Sequence, residues 1–179
     1  MFYISEIQHS APPVFKTALQ EKVYQTLKQA DVTFERVDTD EAITMEDCVD
    51  IGHKLKTPIV KTLFLCNRQE TNFYLVVTTA DKPFKTKDFS SALNISRVSF
   101  ASPALLQEML GVTVGAATVF GVMLDTTNKV RVVIDKDVLT EEWYGCSDGT
   151  TTGYMKISRD WVMHDFLPRA NHTPEFVQL

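Results

Sequence analysis

The chain has 179 residues, 44% of them apolar and 23% charged, with a formal net charge of −5. That is the make-up of one ordinary globular domain, long enough to bury a sizeable core, and its negative balance excludes a general nucleic-acid binder without excluding a protein that grips one short nucleic-acid end. No apolar run approaches the roughly 18–20 residues that span a bilayer, and Met1-Phe2-Tyr3-Ile4-Ser5-Glu6 lacks the basic-then-apolar order of a secretory leader, so a cytoplasmic protein with no membrane partner is expected.

Residues 1–13 read as an irregular arm ending at Pro12-Pro13. From Val14 to Ala30, Phe15, Ala18, Leu19, Val23 and Leu27 recur at helical spacing, which predicts an amphipathic helix. Val32 to Val37 alternates like a strand. Thr44, with Asp47 three residues on, predicts a capped short helix through Cys48, Ile51 and Leu55 that ends before Pro58. Two strands follow, Val60 to Cys66 and Asn72 to Thr78, close enough for a hairpin. A short helix is expected at Asp88–Leu93, a strand at Arg97–Phe100, and a helix from Pro103 to Leu110 with Ser102 as cap and Gly111 past its end. Phe120–Leu124 and Val130–Ile134 read as a second hairpin. Strands at Trp143–Asp148 and Gly153–Ile157 and a helix at Asp160–Leu167 complete the order. The fold class is mixed α/β: one domain over 1–179, a sheet surrounded by helices.

Three of the seven glycines fall between Gly111 and Gly121. Gly115, Ala116, Ala117 and Thr118 carry little side-chain bulk, so their backbone N–H and C=O groups are expected to line a pocket. Lys61 opens an apolar strand, where it either snorkels to the surface or holds its ammonium in a pocket. The cluster Lys82-Pro83-Phe84-Lys85-Thr86-Lys87 reads as a solvated face or a phosphate contact. Cys48, Cys66 and Cys146 match no metal spacing; Cys66 is expected buried and inert, Cys146 exposed. His9, His53, His164 and His172 form no metal pair, and no phosphate loop, dinucleotide fingerprint or nucleophile elbow is present. No metal and no cofactor are expected. An enzyme built on this inventory would rely on backbone dipoles and one cation.

The ordered motifs resemble the YbaK/prolyl-tRNA synthetase editing-domain superfamily, most of all its free-standing deacylases. Lys61-Thr62-Leu63-Phe64-Leu65 with Tyr74-Leu75-Val76-Val77 is similar to the family's lysine-bearing strand and its partner. Val98-Ser99-Phe100-Ala101, then Gly111-Val112 and Gly115-Ala116-Ala117-Thr118-Val119-Phe120-Gly121, resembles its Ser-Phe-Ala and Gly-x-x-x-Pro-Phe-Gly segments. Asp125, Val130 to Asp135, Thr151-Thr152, Ile157-Ser158 and Asn171-His172-Thr173-Pro174 continue the match. The resemblance implies a mixed, partly barrel-like sheet ringed by helices. It implies hydrolysis of the ester joining a wrong amino acid to the terminal adenosine of tRNA(Pro). Alanine is the commonest amino acid cleared by the free-standing members, and cysteine is cleared by the YbaK branch. It makes Lys61 the catalytic residue. It makes Gly115, Ala116, Ala117, Thr118, Val119, Phe120 and Gly121 the cradle of the aminoacyl end, with Tyr144 and Asp148 beside them. The implied partners are the tRNA(Pro) acceptor end and prolyl-tRNA synthetase. Five positions depart from the family pattern: Val119 replaces the loop proline, Tyr144-Gly145 replaces His-Pro, Asp148 replaces Asn, and Thr39 replaces an earlier histidine. These departures leave open a non-catalytic module that binds a tRNA end, a synthetase or a small metabolite.

Overall fold

In the computed structural model, which describes residues 1–179, the elements are α1 (Ala18–Gln29), β1 (Glu35–Asp38), α2 (Met45–Leu55), β2 (Lys61–Asn67), β3 (Phe73–Thr78), α3 (Thr86–Leu93), β4 (Val98–Phe100), α4 (Pro103–Leu110), β5 (Val130–Asp135), β6 (Trp143–Ser147), β7 (Gly153–Ser158), a C-terminal helix over 159–169 and β8 (Glu175–Val177). The helix starts are where the side chains put them. Thr17 accepts from Gln20 N, Ser102 accepts from Leu105 N, and Thr44 and Asp47 form a reciprocal capping box. Such caps satisfy N–H groups that the first helical turn leaves unpaired, each worth about 1 kcal/mol.

Five strands lie in the order β4-β2-β3-β5-β8, and a second sheet is ordered β1-β7-β6. Every residue of β3 is buried, as expected for a central strand covered on both faces. Alternation along the strands divides the core in two. Phe64, Phe73, Leu75, Val77, Val132 and Ile134 face the main core with α1, α4 and the C-terminal helix. Leu65, Tyr74, Val76 and Val133 face α3 through Phe89.

The expected hairpin at 120–134 does not form. Val119–Leu124 closes into a 3-10 turn buried from Val119 to Val122, and β5 lies parallel to β3 with Phe73 opposite Val130. A short apolar run has no period that separates a strand from a buried helical turn, and the core took this one as a turn. Its exit is fixed by the buried Asp125 carboxylate, which accepts from Lys129 N, Val130 N and His172 Nε2 at 3.0, 2.8 and 2.8 Å. Burial pushes the Asp125 carboxyl up, but the donors of Val130, His172 and Lys129 outweigh it and hold it below the usual range. The stability this contributes is therefore present above the unfolded carboxylate pKa and lost as pH falls through the lower folded value. The melting temperature is expected to fall below about pH 4, and Asp125→Asn should lack that component of the fall in thermal melts across the acid range.

The two sheets do not close a barrel. They touch at a parallel bridge between Ile59 and Gly145, where Val60 N donates to Gly145 O at 2.9 Å. A methyl group at Gly145 would lie 2.5 Å from the Pro58 carbonyl oxygen and 3.0 Å from Thr57 Cγ2. Backbone cannot retreat as a flexible side chain can, so Gly145→Ala should cost about 1–3 kcal/mol. The check is a lower urea midpoint at unchanged m-value.

Residues ahead of α1 run along β1. Ile4 bridges Thr39 and Gln8 bridges Arg36. Arg36 is buried, and its guanidinium donates to Asp38 Oδ1, Gln8 Oε1 and the Ser10 carbonyl. The edge strand is thereby covered.

Candidate active site

Lys61, Thr78 and Asp135 stand at one end of the α3 face of the five-stranded sheet. Lys61 pairs with Thr78 across the β2–β3 ladder, and the Thr78 hydroxyl donates to Asp135 Oδ2 at 2.7 Å. Lys61 is half-buried, and its ammonium donates to the carbonyl oxygen of Lys82 at 2.6 Å. The Lys82 ammonium donates to Asp135 Oδ2 at 2.7 Å, Asp137 Oδ2 at 2.7 Å and Leu179 O at 2.8 Å. Burial disfavours the Lys82 charge, yet the two carboxylates outweigh it and hold the ammonium above the ordinary lysine range. Lys82 in turn draws the Asp137 carboxyl below its usual range. Of the basic cluster, Lys85 and Lys87 are exposed, whereas Lys82 is tied down within the protein.

Beside this corner lies a cavity of about 1060 Å³. Val60 and Lys82 are in its wall; Lys61 is not, and its ammonium reaches the wall through its hydrogen bond to the Lys82 carbonyl oxygen. Met45, Val49, Ile59 and Val138 make much of the wall apolar, and Trp143, 40% exposed, stands at its rim with Lys156 Nζ 5.1 Å from the ring centroid. An apolar hollow with a few placed polar groups is the usual form of a small-molecule site. Cys48 also lines it, but burial and then Asp47 push that thiol up, the wrong direction for a nucleophile.

The glycine loop lies on the opposite side of the sheet, and neither the 1060 Å³ cavity nor the polar one beside the loop is lined by both Lys61 and the loop. The loop expected to line a pocket with its backbone is only partly at the surface. Ala116, Thr118, Val119, Phe120 and Gly121 are buried; Gly115 is exposed and Ala117 half-exposed. Ala116 N donates to Thr113 O, closing a turn in which Gly115 has φ +90°. A methyl at Gly115 would meet only Thr151 Cγ2, at 3.6 Å, so the backbone angle, not lack of room, calls for glycine there. Apolar side chains at 116, 119 and 120 sank the rest of the loop into the core. Gly111, Thr113 and Thr151 line a separate, polar cavity of about 640 Å³ that also takes in Lys16 and Lys22.

Tyr144 sits on the core side of β6, fully buried, and neither its hydroxyl nor that of nearby Thr118 has a hydrogen-bond partner. Burial, then Cys146, pushes the Tyr144 phenol well up. Cys146 is buried rather than exposed as expected, and burial and then Asp148 push its thiol far above the ordinary range. Asp148 is also buried. Its carboxylate accepts from Gln20 Nε2 at 2.9 Å, Tyr24 Oη at 2.8 Å, Thr150 Oγ1 at 2.7 Å and Thr150 N at 3.2 Å. Those donors come from α1 and from the β6–β7 turn, so Asp148 joins the two, and protein groups already occupy both of its oxygens. Gly153 is what admits it: a methyl there would lie 2.3 Å from Asp148 Oδ2. The parts that sequence reading missed are Asp135, Asp137 and the internal use of Lys82. The carboxylates lie more than fifty residues along the chain from Lys82, and no local pattern joins them.

Fold and site together define a mixed α/β domain with a strand-borne lysine bonded to the wall of a partly apolar cavity. Residues 39–162 match the aminoacyl-tRNA editing domain, and the chain belongs to that family. It is 32% identical over 120 residues to the prolyl-tRNA editing protein ProX of Acetoanaerobium sticklandii, covering 67% of this chain and 73% of that protein. It is 27% identical over 159 residues to prolyl-tRNA synthetase associated domain-containing protein 1 of Danio rerio, covering 87% and 85%. A crystal structure of a candidate trans-editing enzyme for prolyl tRNA synthetase shares the fold at TM-score 0.63 and 12% identity, covering 92% of this chain and 99% of that one. No helix is long and apolar enough to cross a membrane.

Proposed function

We propose that the protein hydrolyses mischarged aminoacyl-tRNA(Pro) in trans, with alanine as the amino acid released and Lys61 as the catalytic residue. Water would attack the ester carbonyl carbon; a new C–O bond forms, the bond to the ribose oxygen breaks, and free amino acid and a ribose hydroxyl leave. The ester is already activated, so positioning and a donor for the developing oxyanion are the main needs. The observation that carries this reading is the Lys61 ammonium hydrogen-bonded to Lys82, a wall residue of the 1060 Å³ cavity, in a chain of the aminoacyl-tRNA editing domain family. The names of its relatives supply the tRNA(Pro) part. Gly115 and Ala117, the loop residues that reach the surface, are proposed substrate contacts. Ala116, Thr118, Val119, Phe120 and Gly121 would act through β6: Tyr144 and Cys146 share their core, and Gly145 backs onto Thr57 and Pro58 in the cavity wall. Asp148 would act by holding the Thr150–Thr152 turn. The partners in this reading are the acceptor end of tRNA(Pro) and prolyl-tRNA synthetase.

The test is incubation with alanyl-, cysteinyl- and seryl-tRNA(Pro). Fastest release of alanine supports the reading, and release no faster than in buffer from all three overturns it. A second reading, binding without turnover, is favoured by Tyr144, a fully buried phenol where the family carries histidine. Retention of alanyl-tRNA(Pro) on a filter with no release of alanine would select it.

A further inference from the structure

Two lysines meet in the corner beside the large cavity, and their hydrogen bonding differs in kind. An ammonium has three N–H donors. Lys82 Nζ directs all three at oxygens of Asp135, Asp137 and Leu179. It has nothing left to offer a substrate. Lys61 Nζ makes one hydrogen bond, to the Lys82 carbonyl oxygen, and keeps two donors. Its remaining donors are thus available to a guest oxygen, and its position depends on where the Lys82 backbone sits.

What fixes that backbone is Asp135. It is fully buried at the end of β5, accepts from the Thr78 hydroxyl and from Lys82 Nζ through Oδ2, and accepts from Asp137 N through Oδ1. Thr78 ends β3, and Thr79 to Lys82 form the stretch of cavity wall that follows it. Asp135 therefore holds both ends of that stretch, one through a hydroxyl and one through an ammonium. Such charge-assisted bonds are short, and tying the ammonium restricts the rotamers of the four-methylene lysine stem.

We propose that Lys82, clamped by Asp135 and Asp137, is a positioning residue for Lys61: its side chain locks the 79–82 wall so that its carbonyl holds the Lys61 ammonium, with two donors free, against the cavity wall. The proposal rests on the deacylase reading for its catalytic consequence and on the hydrogen-bond geometry alone for its structural one. A pure stability role for Lys82 would lower the melting temperature without moving kcat in the folded protein.

The experiment compares wild type, Lys82→Met, Lys82→Arg and Asp137→Asn. Each is assayed for kcat and KM on alanyl-tRNA(Pro) and for the rate at which an amine-acylating reagent modifies Lys61, read by mass spectrometry against exposed Lys28. Lys82→Met is expected to lower kcat about tenfold or more while KM stays within about twofold, because a small misplacement of a reacting group is costly. Lys61 should be acylated several-fold faster once its carbonyl partner moves, and Lys82→Arg should recover part of both. Unchanged kcat and unchanged Lys61 acylation in folded Lys82→Met overturn the proposal. A rise in KM with Lys61 acylation unchanged also overturns it, since Lys82 would then be touching substrate. If wild type shows no deacylation, the functional reading fails and the acylation rates alone decide the clamp. If Lys82→Met does not fold, Asp137→Asn, at the half-exposed side of the clamp, carries the same readouts with a smaller expected change.

Discussion

Lys61→Met is expected to reduce the release of alanine from alanyl-tRNA(Pro) by about 10²–10³-fold, the loss that follows removal of one well-placed oxyanion donor. The protein should stay folded. In the native structure Lys61 makes a single hydrogen bond and is only half-buried, so its removal should cost about 1 kcal/mol and move the melting temperature by no more than about 4 °C in a chain of this length. Methionine keeps the unbranched stem and deletes the charge and the donors. Single-turnover rates with enzyme in excess isolate the hydrolytic step from product release. A variant that hydrolyses at the wild-type rate would remove Lys61 from the chemistry, whatever the cavity binds.

The opposite signature is expected at Asp148. Asp148→Ala should be the most destabilising change discussed, at about 3–5 kcal/mol, because it strands buried donors of Gln20, Tyr24 and Thr150 together. The structure gives those donors no other acceptor for these bonds. At about 2–4 °C per kcal/mol for a chain of this length, thermal melts followed by circular dichroism should show a loss of roughly 10 °C. Tyr24→Phe, which removes one donor and leaves the carboxylate with the others, should cost only about 1 kcal/mol. A melting temperature unchanged in Asp148→Ala, with KM raised, would return Asp148 to the substrate-contact role that the family pattern implied.

These two residues show how far the sequence could be read. Lys61 could be picked out because a cation is out of place at the head of an apolar strand, and that is visible in one dimension. Asp148 looked like a site residue because it stands where the family has asparagine. Its strut-like role depends on Gln20 and Tyr24, more than a hundred residues away, whose partners no local pattern announces. The glycine loop was half legible. Gly115 does sit at a positive φ in a turn, as its residue type suggested. The same run, however, contains Val119 and Phe120, and the core claimed them, so a stretch read as open backbone is mostly interior. The turn at Val119–Leu124, whose residues from Phe120 on were read as a strand, was misread for a related reason: a short apolar run carries no period that tells a strand from a helical turn.

The sequence by itself determined the single mixed α/β domain, the capped starts of α2 and α4, the β2–β3 hairpin and the family. All of these rest on local spacing, cap chemistry or ordered motifs, which are properties of neighbours along the chain. Only the tertiary structure decided that β5 runs parallel to β3 and that the sheets meet at Gly145 without closing. Only it decided that Lys61 and the glycine loop belong to different sides of the sheet, and that Lys82 spends its charge on Asp135 and Asp137. Parallel pairing and buried ion pairs join segments far apart in the chain. Their energies come from packing and desolvation in the assembled core, and a sequence read in windows does not contain them.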